Sequence, residues 1–145
     1  MNENIEFLNY IYEVTDMGIS SISTLLQTIK EKDNKIKKVL ESILKGHEHF
    51  KKEALNLIKK NKGNVKNPSL FAKAGSWMGI KMEISNDNSD SRIADMMIRG
   101  LDMGVIELDK RINNFDNNTD PKIKKIAKEL KKFELDSIDI LKEYL

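Results

Sequence analysis

The chain has 145 residues, enough for one hydrophobic core and too few for a second domain of ordinary size, so residues 1–145 are expected to form a single domain. Charged residues make up 33%, apolar ones 39% and aromatic ones only 6%, with two prolines; that profile suits helices and speaks against an all-β fold, which needs turn residues every ~8–12 positions. A net charge of +2 argues for neither nucleic acid nor membrane, the lack of cysteine excludes disulfides, thiol catalysis and iron–sulfur clusters, and two histidines exclude a metal site rich in imidazole.

Four stretches carry apolar residues at helical period. The first runs from about Asn4 to Lys30 on Leu8, Ile11, Thr15, Ile19, Ile22, Leu26 and Ile29. The N-terminal segment ahead of and within it is acidic where a signal peptide would be basic, and no apolar run approaches ~18 residues, so a cytoplasmic protein with no membrane contact is expected. A short break at Asp33-Asn34 leads into the second stretch, Asn34 to Asn61, on Ile36, Leu40, Ile43, His47, Phe50, Ala54 and Ile58. So short a link makes the two helices antiparallel. Lys62-Gly63 is expected to close the second helix, with glycine in the left-handed conformation.

The connection from Lys62 to Ser89 is far longer than the other links and carries an amphipathic segment, Ser69 to Lys81, with Leu70, Ala74 and the only tryptophan, Trp77, on one face. A third helix is expected over Asp90 to Asn114 on Ala94, Met97, Leu101, Val105, Leu108 and Ile112, and a fourth from Pro121 onward on Ile123, Ile126, Leu130, Phe133, Ser137, Leu141 and Tyr144. Proline at the first helical position, after Asp120, is a good start signal. Each stripe is about 100° wide with a charged opposite face, which is the pattern of a bundle. A long central crossover between short links is ferritin-like connectivity and sets the second and third helices parallel.

Phe50-x-x-Glu53, the crossover Ser69…Gly75-x-Trp77-x-x-Ile80-Lys81 and Arg99-Gly100 resemble a group of uncharacterised bacterial ferritin-like proteins, small four-helix bundles distantly related to rubrerythrins and bacterioferritins. The resemblance implies an all-α, ferritin-like four-helix bundle with a short helix in the crossover. An active di-iron member needs one glutamate on each of two helices and Glu-x-x-His on each of the other two, all pointing inward. Here the inward positions of the first helix are Leu8, Ile11, Thr15, Gly18, Ile19 and Ile22, with Glu13 and Asp16 turned away. Those of the third are Met97, Leu101, Gly104, Val105 and Leu108. Three residues before His47 stands Leu44, and three after Glu134 stands Ser137. Two of six ligands survive, His47 and Glu134. By helical rise they lie roughly 20 Å from the first link and roughly 25 Å from the last, both near mid-bundle. They are expected to form a buried imidazole–carboxylate hydrogen bond; the alternative is a reduced site for iron or another divalent metal.

Further features read as structural. His49, with Glu53 at i+4, is expected to be solvated. Gly18, Gly46, Gly100 and Gly104 lie at similar heights and are expected to serve close packing, Gly100 and Gly104 against the crossover or a second subunit. Met78, Met82, Met96, Met97 and Met103 read as gap-fillers rather than copper ligands. Lys122, Lys124, Lys125, Lys128, Lys131 and Lys132 read as a solvated face without the arginine and aromatics of a nucleic-acid site. The resulting expectation is a non-catalytic homodimer with a degenerate di-iron site and no resident cofactor, acting through association. The alternatives are metal binding or metal-dependent oxidation at His47 and Glu134, or a helical adaptor offering its lysine face to an acidic protein partner.

Overall fold

A computed structural model describes residues 3–66, 84 and 87–145. Its long helices among the described residues are α1 (Glu3–Thr28), α2 (Lys37–Lys60), α3 (Asp90–Ile112) and α4 (Pro121–Lys142), and no strand occurs among those residues. The expected short helix over Ser69–Lys81, and with it Trp77, lies outside the described residues. The molecule is an all-α four-helix bundle. Helix α1 packs along α2 and α3 along α4, and the two hairpins meet mainly through α2 and α4.

Polar contacts at the two ends define the topology. At one end the Asn34 amide donates to Asn88 O and to Asp90 Oδ1, both at 2.9 Å, so the α1–α2 turn lies beside the start of α3. At the other end Asn4 Nδ2 donates to Asn118 O (3.4 Å) and Asp120 N donates to Asn4 Oδ1 (3.3 Å), which sets the start of α1 against the α3–α4 loop. Helices α2 and α3 therefore run in the same direction, and residues 61–89 connect opposite ends of the bundle. The order is up, down, down, up, as the long crossover requires.

Local signals account for most helix ends. Asp120 caps α4, its carboxylate accepting from Lys122 N at 2.9 Å, with Pro121 at the first position. Ser89 caps α3 through Arg92 N at 3.2 Å. Helix α2 has no side-chain cap of its own at Ile36. Instead Asp90, from the first turn of α3, accepts from Lys35 N (3.1 Å) and Ile36 N (3.4 Å). The exit from α2 differs from expectation: Lys62, not Gly63, is left-handed, with φ 56°. Gly63 N donates to Ile58 O (2.9 Å) and Lys62 N to Lys59 O (3.0 Å), the two bonds of a Schellman motif with Lys62 at its left-handed position. Gly63 lies under Ile5: a Cβ there would be 2.7 Å from Ile5 Cδ1, so any side chain at this position obliges Ile5 to shift.

The core falls into two apolar clusters. One, at the Asn4 end, centres on Leu8, Ile11, Phe50, Ile58, Leu108 and Leu130. The other, at the Asp90 end, centres on Ile22, Leu25, Leu40, Ile84, Ile93 and Leu141. Phe133 touches both. Thr15, Asp16, His47, Glu134 and Ser137 are buried polar residues whose sequence positions fall between the two clusters.

Candidate functional site

His47 stands at mid-height because it occupies the apolar stripe of α2 between Ile43 and Phe50, and it is 6% exposed. Its Nδ1 lies 2.9 Å from Ile43 O. A carbonyl only accepts, so the neutral ring carries its proton on Nδ1 and leaves Nε2 as a lone pair. Burial lowers the pKa below 6.5, with the Ile43 bond opposing weakly, so the ring is neutral at pH 7. The ring fits against α1 because Gly18 stands opposite: a Cβ there would sit 2.8 Å from Nε2 and closer still to Cδ2. Its other neighbour is Phe133, edge-on at 5.7 Å between centroids. Phe133 in turn lies over Gly46, whose missing Cβ makes room for that ring, and 5.6 Å from Phe50.

Glu134 follows Phe133 on α4 and is therefore turned about 100° from it. It is also 6% exposed, and it lies over Gly104 of α3, where a Cβ would be 3.4 Å from both carboxylate oxygens. Its Oε2 is buried and has no hydrogen-bond partner among the described residues. Burial alone pushes its pKa from 4.5 to about 8, so at neutral pH the carboxyl is mostly protonated. Tyr10 of α1 feels this group. Its hydroxyl is raised to about 12, first by burial and then by the negative charge of Glu134, while Arg111 pulls the other way. The Arg111 guanidinium stacks on the Tyr10 ring at 3.9 Å and pairs with Glu107 at 3.4 Å.

His47 and Glu134 are both buried, as their positions on the stripes imply, yet no hydrogen bond joins them. Helix α4 presents Phe133 to the imidazole and Glu134 to α3. The expected imidazole–carboxylate bond is replaced by an imidazole bonded to its own helix and a carboxyl whose Oε2 has no hydrogen-bond partner among the described residues. The donor set does not fit a two-metal centre. Such a centre takes about six inward ligands, mostly carboxylates, whereas no group of three His, Cys, Asp or Glu is gathered for a metal ion among the described residues.

Other expectations are corrected or refined. Asp16 is not turned away: it is buried against α2 and pairs with Lys51 at 2.8 Å. Lys51 also sits 5.3 Å above the Tyr12 ring. His49 is exposed and pairs with the half-buried Glu53 at 3.3 Å. Gly18 and Gly46 serve close packing; at Gly100 nothing among the described residues lies within 4 Å of where its Cβ would be, and the crossover expected against it lies outside them. Met103 fills no gap, being 72% exposed. The lysines of α4 are interleaved with acids, Lys131 with Asp109 (2.6 Å), Lys132 with Asp136 (2.7 Å) and Lys125 with Glu129 (3.7 Å). Asn9 carried no sequence signal beyond its type. It is buried and holds the start of the crossover, donating to Asn64 O (3.0 Å) and accepting from Lys66 N (2.7 Å). A surface depression lined by Ser23, Leu26, Gln27, Lys30, Lys37 and Glu41 lies at the turn end of the α1–α2 hairpin, away from His47 and Glu134.

Among the described residues no helix is long and apolar enough to cross a membrane. Compared with family models, with curated proteins and with solved structures, the chain matches none of them.

Proposed function

We propose that this chain is a non-catalytic cytoplasmic bundle of ferritin-like descent that acts through association, most simply as a homodimer, and has lost the chemistry of a di-iron centre. The observation that carries this reading is the donor set: among the described residues no group of three His, Cys, Asp or Glu is gathered around a common point. Glu134 faces a glycine backbone and among the described residues has no hydrogen-bond partner at Oε2, so with no cation beside it the carboxyl is kept neutral by burial. Such a group tolerates a dry core by staying neutral. The inward positions on α1 and α3, with Leu8, Ile11, Leu101 and Val105 buried, add apolar surface rather than ligands.

The same orphaned oxygen favours one second reading, a single divalent cation held by Glu134 and the Nε2 lone pair of His47, completed by water. Elemental analysis of protein purified without chelator decides between them. The expected result is metal well below one equivalent per chain, unchanged in His47→Leu. Stoichiometric metal that disappears in His47→Leu overturns the association reading and installs the second.

A further inference from the structure

Helix α3 has two faces. Ile93, Ala94, Leu101, Val105 and Leu108 are buried in the bundle. Roughly opposite, Met103 is 72% and Ile106 51% exposed, one turn apart, and Gly100 is exposed with open space above its Cα among the described residues. Charged residues border this strip in two i,i+4 pairs, Arg99 with Asp95 on one side of Met103 and Arg111 with Glu107 on the other.

The order of those charges is self-complementary. Pack two copies of α3 antiparallel across a two-fold axis at Met103, and residue 103−n of one is level with residue 103+n of the other. Four residues out, about 6 Å along the helix, Arg99 stands level with Glu107 of the copy. Eight residues out, about 12 Å, Asp95 stands level with Arg111. Residues 95, 99, 103, 107 and 111 form one i±4 ridge, so at the ~50° crossing that aligns such ridges opposite charges come together at both levels, twice each by symmetry. A parallel pair would instead set each residue level with itself, Arg99 against Arg99 and Glu107 against Glu107. Three residues out, Gly100 is level with Ile106, so the helices approach closely where the isoleucine needs room. At the axis each Met103 meets its own copy, and an unbranched thioether adapts to such a contact.

We propose that the Met103 face of α3 is a docking surface for a second copy of this chain, bound antiparallel about a two-fold axis at Met103, with Arg99–Glu107 and Asp95–Arg111 pairs across the interface. The proposal rests on the association reading above and names its partner. A two-fold contact of this kind closes on itself and yields a dimer rather than a filament. In each monomer Arg99 is already paired with Asp95 and Arg111 with Glu107, Arg111 also stacking on Tyr10 of α1, and Asp102 is exposed beside Met103. On docking the ion pairs join into two four-membered clusters, which fix register and direction more than they add affinity.

Sedimentation equilibrium on the full chain tests this, with circular dichroism and thermal melting as the check that each variant folds. The wild type is expected at twice its 16.7 kDa chain mass. Met103→Glu sets two carboxylates at the axis and is expected to give a folded monomer. Arg99→Glu is expected to weaken dimerisation about tenfold or more, and Arg99→Glu combined with Glu107→Arg to restore most of it, since the pair is only exchanged across the axis. Wild type that stays at chain mass up to about 100 μM overturns the proposal. So does a dimer that survives Met103→Glu, or an exchange variant no tighter than Arg99→Glu alone. A dimer that survives Met103→Glu leaves the association reading standing on another face, whereas stoichiometric metal that disappears in His47→Leu sinks that reading whatever the mass.

Discussion

Phe133 and Glu134 are neighbours in sequence, and the difference of one residue decides the chemistry at mid-bundle. Phe133 fills the space over Gly46 and meets the edge of His47, which leaves Glu134 facing Gly104 with no hydrogen-bond partner at Oε2 among the described residues. The two buried titratable groups then pull stability in opposite directions with pH. Glu134 has a folded pKa of about 8 against an ordinary 4.5. The folded state holds that proton more tightly than the unfolded chain, so its contribution is greatest below pH 4.5 and falls up to about pH 8, by at most about 1.4 kcal/mol per pH unit. His47 has a folded pKa below 6.5. Its contribution is complete above 6.5 and is lost as pH falls through the folded value. The two partly cancel on the acid side and leave Glu134 alone between about pH 6.5 and 8. Urea midpoints of wild type at fixed protein concentration should therefore decline across that window. Glu134→Gln, neutral at every pH, should flatten the decline and exceed wild type at pH 8 by about 1–3 kcal/mol. A wild-type profile flat from 6.5 to 8 would show the carboxylate already ionised in the fold. The stripes on α2 and α4 made the burial of His47 and Glu134 legible. Their partners were not legible, because a stripe about 100° wide holds both Phe133 and Glu134, and only the rotation of α4 against α2 and α3 chooses between them. Asp16 is the converse case: it borders the stripe of α1, and Lys51 reaching from α2 is what makes its burial tolerable.

The helices themselves follow local rules closely enough that their ends fall within a few residues of where caps and prolines place them. Asp120-Pro121 begins α4 as its chemistry requires. The end of α2 shows how a local rule and a tertiary contact compete. The Schellman bonds need a left-handed residue at the position after Asn61, and glycine one step later would have served best there. Gly63 is instead held where Ile5 of α1 closes over it, which leaves Lys62 to adopt φ 56°. A non-glycine residue in that conformation costs about 1 kcal/mol. Lys62→Gly is therefore expected to stabilise the protein by roughly 0.5–1 kcal/mol, and thermal melting should rise by about 2–4 °C. A fall in melting temperature would mean that the lysine side chain makes a contact worth more than the backbone strain.

At the scale of the molecule, the bundle is two hairpins stitched at both ends. Two apolar clusters lie along the shared axis, with Phe133 spanning the polar level between them. The stitch at the start of α3 centres on Asp90, with Asn34 also donating to Asn88 O. Asp90 belongs to α3 yet caps α2 through Lys35 N and Ile36 N and holds the Asn34 amide. Its negative charge also suits the N-terminal end of α2. Asp90→Ala should cost about 1–2 kcal/mol in urea denaturation and speed hydrogen exchange at residues 35–40 ahead of the rest of the bundle. Uniform exchange across α2 in that variant would show that the cap contributes nothing local. At the same scale, Met103 reads as a gap-filler in the sequence yet faces outward, and Gly100 faces outward beside it, where a second subunit is one of the two partners expected for it.

Helical period, link lengths and start signals were enough, without coordinates, to determine four helices, their antiparallel hairpins and the parallel setting of α2 and α3. Those features depend on interactions within a turn or two of chain and on how far a given number of residues can reach. The scarcity of inward carboxylates was equally plain, since it needs only a count along each stripe. What only the tertiary structure decided was the meeting of side chains from different helices: Phe133 rather than Glu134 against His47, Asp16 buried under Lys51, Asp90 capping a helix more than fifty residues earlier in the chain, and Met103 left in solvent. Each depends on the rotation of one helix about its axis relative to another. Packing of the whole bundle sets that angle, and no single stripe encodes it.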